Sequence, residues 1–74
     1  MDYEIRAKVR DRLVSLRIES GKTQKEIGDI CGKSKTAVAS WEQGQSLPDI
    51  ETLYRLSLYY KKTMDYMFGD DEKK

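Results

Sequence analysis

Lys35, Thr36, Ala39, Ser40 and Gln43 recur at helical spacing, and they leave Val38 and Trp41 as the apolar side of the same stretch. Positions three and four apart share a face of a helix, so these polar and small residues form one outward row. The chemistry open to such a row is hydrogen bonding rather than bond breaking. It suits the edges of base pairs in the DNA major groove, which is about 12 Å wide and admits a helix. Lys35, at the start of the row, can donate to guanine O6 and N7, while Thr36 offers a methyl for thymine or a hydroxyl for several bases. Ser40 lies one turn beyond Thr36 and reaches a neighbouring base step. Gln24 stands at the start of an earlier short helix, where an anion is favoured and a side-chain amide can donate to it. Taken singly, each of these residues also fits an ordinary solvated helix face.

Other chemistries find little support. The chain has no His, and no carboxylate pair or nucleophile and base emerges from the spacing, so an enzyme is not expected. Cys31 is the sole cysteine; it cannot close an internal disulfide, has no His to join it in a zinc site, and reads as a small buried hydrophobe. Neither a cofactor nor a metal is expected.

The row needs a frame, and the sequence supplies five helices. Val9, Leu13 and Leu16, with Ile5 before them, mark one face of a first helix that stops at Gly21. Thr23 followed by Glu26 matches the capping box, in which a hydroxyl and a carboxylate each satisfy an orphan backbone donor. The second helix then carries Ile27, Ile30 and Cys31 inward and breaks at Gly32. Two turns are too few to be stable alone, so this helix must be held by packing. Small Gly28 permits a close crossing with its neighbour. Ser34 caps a third helix from Lys35 to Gln43, stopped by Gly44. Pro48 stands at the margin of a fourth helix, whose positive end receives Asp49 and Glu51 and whose inward face is Ile50, Leu53, Leu56 and Tyr60. Thr63 caps a short fifth helix with Met64, Met67 and Phe68. No repeat or alternating apolar run supports a strand.

At 74 residues there is room for one domain with one core. The expected division is a domain over residues 1–69 and a charged, flexible tail over 70–74. Regulation, with no room for an effector-binding domain, would act through concentration or a partner protein. Net charge is only +1, but residues 1–44 hold nine Lys and Arg against seven Asp and Glu, and residues 45–74 hold five against six. This gives the front a slight basic bias. The charged start and the lack of a long apolar run argue against export or a membrane, and with the single cysteine they point to the cytoplasm.

The stretch TQKEIGDICGKSKTAVASWEQGQSLPDIETL resembles the lambda-repressor-like helix-turn-helix domain of the Cro/CI type, the XRE family. The resemblance rests on the Thr-Gln opening, Gly28, Gly32, Val38, the ending Trp41, Glu42 and Gly44, and then Pro48. Arg17 before the stretch and Asp65 with Tyr66 after it extend it over nearly the whole chain. It implies an all-α, compact five-helix DNA-binding domain with the motif at helices two and three. It implies a bacterial or phage-encoded sequence-specific transcriptional regulator of the repressor type. Lys35, Thr36 and Ser40 would face base edges, with Ala39 near a thymine methyl. Thr23 and Gln24 would bind phosphate, as would Gln43, Gln45 and Ser46 through the backbone after the third helix. Arg17 and Glu42 would form a structural pair, and Val38, Trp41 and Ile27 would orient the reading helix from the core. Lys22 and Lys62 depart from the family's aliphatic residues, and Lys61 replaces a common glycine.

The expected partner is double-stranded DNA carrying an inverted repeat, bound by a homodimer. The aromatic cluster of the last third offers a candidate dimer surface at Tyr59, Tyr66 and Phe68. A second reading keeps the fold and makes a protein the main partner, as in an antitoxin or adaptor.

Overall fold

The computed structural model describes residues 2–70. Of the expected charged tail, 71–74 lie outside the described residues. Five helices follow in order: α1 Asp2–Ser20, α2 Gln24–Cys31, α3 Lys35–Glu42, α4 Ile50–Tyr60 and α5 Met64–Met67. No strand occurs among the described residues.

Each of the four later helices starts on a side chain that accepts from the first turn. Thr23 Oγ1 accepts from the Glu26 N–H at 3.1 Å, and Glu26 Oε1 accepts from the Thr23 N–H at 2.8 Å, completing the capping box. Ser34, Asp49 and Thr63 accept from Ala37, Thr52 and Tyr66 respectively. Hydrogen bonding from Thr52 holds the Asp49 carboxyl below its usual range.

The core is one cluster: Val9, Leu13 and Leu16 of α1, Ile27 and Cys31 of α2, Val38 and Trp41 of α3, Leu53 and Leu56 of α4, and Met67 of α5. Helices α2 and α3 pack on each other, α1 braces α3 and α5, and α4 meets α2 and α5. The approach behind the turn is closer than any side chain would allow. A Cβ on Gly28 would stand 2.5 Å from the Lys33 carbonyl oxygen. Gly32 ends α2 at φ 75°, and the Lys33 N–H returns to the Gly28 carbonyl at 2.8 Å. Burial pushes the Cys31 thiol pKa up, which keeps it protonated and apolar.

Several expected positions differ. Ile50 is 70% exposed because the buried face of α4 is Thr52, Leu53, Leu56 and Ser57, leaving the first residue of the helix ahead of the core. Ile30 is exposed because Ile27, Gly28 and Cys31 set the inward direction of α2 and position 30 lies to one side of it. Ile5 is exposed because α1 runs a turn beyond Val9, where the core begins. Helix α3 ends at Glu42, not Gln43, whose N–H caps it by donating to Ala39 O at 3.0 Å.

Candidate nucleic-acid interface

Helix α3 is seated by its buried residues Val38 and Trp41, which leaves Lys35 and Thr36 exposed and Ala39 and Ser40 half-exposed on the outer side. All four residues of the expected base-reading set therefore share the outward side of one helix. Ser40 is not independent, because its hydroxyl is 2.8 Å from that of Ser46 in the turn beyond α3. The helix and the turn that follows it are joined side chain to side chain.

Glu42 is the hub behind this helix. Its side chain is 8% exposed, and Arg17 grips it with two parallel bonds, Nε to Oε2 at 2.7 Å and Nη2 to Oε1 at 3.0 Å. The hydrogen bond to Glu42 is the chief reason the Arg17 pKa is raised, which holds the guanidinium in its charged form. Arg17 Nη1 also donates to the Lys22 carbonyl at 3.0 Å. Gln24 Nε2 donates to the same Glu42 Oε1 at 3.0 Å. One carboxylate thus fastens α1, α2 and α3 together.

That third bond changes how Gln24 can act. An amide nitrogen carries two donors, and one of them is spent on Glu42, so the other alone is left for an anion. The Thr23 N–H is engaged by Glu26, which leaves the Thr23 hydroxyl hydrogen as its donor. Beyond α3, the main-chain N–H groups of Gln43, Gly44 and Gln45 donate back to Ala39, Trp41 and Ser40. Gln43 and Gln45 therefore offer side-chain amides, and Ser46 offers an N–H that has no partner among the described residues.

The aromatic residues divide between core and surface. Tyr66 and Phe68 pack partly buried against the core. The Tyr66 ring also lies under two cations, Arg12 at 4.1 Å and Lys62 at 4.7 Å from its centroid. Tyr59 is 39% exposed and meets Tyr60 edge to face at 5.1 Å. Ile50, Tyr54 and Leu58, one turn apart along α4, form an exposed apolar line instead. Sequence reasoning also passed over Arg6 and Arg10, one turn apart on α1 and both beside the turn after α3. Their four-residue spacing was the one signal available.

Two short helices crossing over Gly28, with the second turned outward and locked from behind by a carboxylate, define a helix-turn-helix domain. The chain belongs to the HTH_3 family, described as Helix-turn-helix, which matches residues 13–67. It is 34% identical over 61 residues to the HTH-type transcriptional regulator ImmR of Bacillus subtilis, covering 82% of this chain and 48% of that protein. It is 31% identical over 62 residues to the cryptic phage CTXphi transcriptional repressor RstR of Vibrio cholerae, covering 84% and 55%. A third relative, the HTH-type transcriptional activator BcrR of Enterococcus faecalis, is 29% identical over 62 residues, covering 84% and 30%. The chain thus spans between about a third and about half the length of these relatives. The fold is similar to the crystal structure of the P22 c2 repressor protein in complex with a synthetic operator, with TM-score 0.79 and 27% identity, covering 85% of this chain and 96% of that one. Among the described residues, no helix is long and apolar enough to cross a membrane.

Proposed function

We propose that this chain is a sequence-specific DNA-binding transcriptional regulator of the phage-repressor kind, acting in the cytoplasm and reading the major groove with α3. The observation that carries this is the mounting of α3: Lys35, Thr36, Ala39 and Ser40 face outward from a helix locked by Glu42, in a fold similar to a repressor described in complex with its operator. Lys35, Thr36, Ala39 and Ser40 read base edges, whereas Thr23, Gln24, Gln43, Gln45 and Ser46 hold phosphate and set register.

The protein acts as a homodimer on an inverted repeat, with half-site centres about 34 Å apart. Its second copy docks on α4, where Ile50, Tyr54 and Leu58 are exposed with Tyr59 nearby, rather than on Tyr66 and Phe68. Glu51 and Arg55, ion-paired at 3.3 Å within α4, border this line.

Selection of random duplexes on the purified protein tests the reading. A palindromic consensus is expected, with sedimentation showing two chains per duplex. Recovery of no sequence above background would refute DNA reading, and one chain on an asymmetric site would refute the dimer.

A further inference from the structure

The first half of α1 carries a concavity beside the turn after α3. Glu4, Arg6, Ala7 and Arg10 line an open cleft of about 410 Å3 together with Gly44. Arg6 Nη1 donates to the Gln45 carbonyl at 3.2 Å. Arg10 lies along Gly44 so closely that a Cβ there would be 3.4 Å from its Nη1 and 3.5 Å from its Cδ. Glycine at this position turns the chain, at φ 79°, and the arginine lies in van der Waals reach of it. Two guanidinium groups are thus set against the turn that runs from Gly44 through Gln45 to Ser46, whose hydroxyl meets the Ser40 hydroxyl.

We infer that Arg6 and Arg10 form a second phosphate clamp, extending the DNA contact from the turn after α3 onto α1. The inference rests on the proposed DNA reading and adds a site to it. Guanidinium groups bind phosphate through paired N–H donors, and Arg10 keeps its outer nitrogens for this because only its Nε is spent, on Asp11 at 3.1 Å. Arg6 exchanges a neutral carbonyl for an anion. Glu4 is met by Lys8 at 3.8 Å and Asp11 by Arg10 Nε at 3.1 Å, and the three cations Arg6, Lys8 and Arg10 outnumber these two carboxylates, so the cleft is not left acidic. A phosphate here binds every sequence alike and fixes how far the domain rolls toward the backbone.

The test is salt dependence on the selected duplex. Each phosphate contact steepens the fall of log K with log salt by about 0.9, so each contributes a factor of about 3.5 between 50 and 200 mM salt. Arg10→Gln and Arg6→Gln should each remove one such factor, and the double variant should fall about 12-fold less than wild type over that range. The ratio of matched to mismatched binding should not move, and Arg10→Lys should keep the wild-type slope. Ethylation interference should show one phosphate whose signal vanishes in Arg10→Gln. An unchanged slope in Arg10→Gln, with melting unchanged, overturns the clamp while leaving DNA binding intact. Absence of binding by the wild type to any duplex would instead overturn the reading on which the clamp rests. If Arg6→Gln melts lower, the Arg10→Gln slope alone decides, because Arg10 makes no hydrogen bond to the turn.

Discussion

Replacing Glu42 with alanine removes the acceptor for three donors at once: Arg17 Nε, Arg17 Nη2 and Gln24 Nε2. Breaking a buried ion pair by deleting one partner costs roughly 3–5 kcal/mol, since the other charge is stranded. Arg17 is 20% exposed and keeps its bond to the Lys22 carbonyl, so part of that penalty is relieved by water and the loss should be nearer ~2–3 kcal/mol. For a domain of this size that is a drop of roughly 10–20 °C in Tm. Circular dichroism melts give the stability, and duplex selection on the same variant gives the sequence preference. The loss should fall on stability, with the consensus unchanged at temperatures where the variant is folded. Arg17→Met combined with Glu42→Leu should melt above the Glu42→Ala single variant, because no charge is then left behind. A Glu42→Ala protein that melts within a degree or two of wild type but selects a different consensus would refute the structural role of the hub.

Other perturbations test other parts of the structure. Lys61 adopts φ 60° at the end of α4, a left-handed conformation that costs a side-chain-bearing residue roughly 1–2 kcal/mol, so Lys61→Gly should raise stability by ~1 kcal/mol in urea unfolding. Burial pushes the Tyr60 phenol up to about 12, above the ordinary value near 10. The unfolded chain therefore loses that proton first, and stability fully present below pH 10 should decline toward pH 12, a decline that Tyr60→Phe should flatten in pH-dependent melts. Lys35→Ala and Thr36→Ala should each lose ~1–3 kcal/mol of discrimination at one base position, whereas Gln24→Ala should weaken all duplexes alike; binding to matched and singly substituted duplexes at fixed salt separates the two. Uniform weakening by the Lys35 and Thr36 variants would remove α3 from the reading role.

Local chemistry made much of the frame legible. Thr23, Ser34 and Thr63 announce helix starts through bonds to residues three positions on, and these are the bonds the structure shows. The pattern of Val9, Leu13 and Leu16, or of Leu53 and Leu56, gives the direction of the core because helical geometry fixes direction. It does not say where a neighbour ends, and so it points Ile5, Ile30 and Ile50 inward although they stand beside or beyond the packed region. The site divides in the same manner. The outward row of α3 follows from its own spacing, whereas the bonds of Gln24 to Glu42 and of Arg6 to Gln45 join residues 18 and 39 positions apart. Only the crossing of helices brings such partners together, and neither residue type is unusual enough in sequence to announce it.

The shared hydroxyl contact of Ser40 and Ser46 has a consequence for the vocabulary of the reading helix. Either oxygen can be the donor in that 2.8 Å contact. Turning both hydroxyls together reverses its polarity without moving a heavy atom, and Ser40 can then present a hydrogen or a lone pair to whatever lies beyond it. Lys35 has no such choice, since an ammonium only donates. On the proposed reading by α3, the ridge would be a two-part text, with one letter spelled strictly at the start of α3 and one a turn later that accepts base edges of either polarity. If the proposed reading holds, duplexes selected by this protein would tolerate drift at that second step and stay strict at the first.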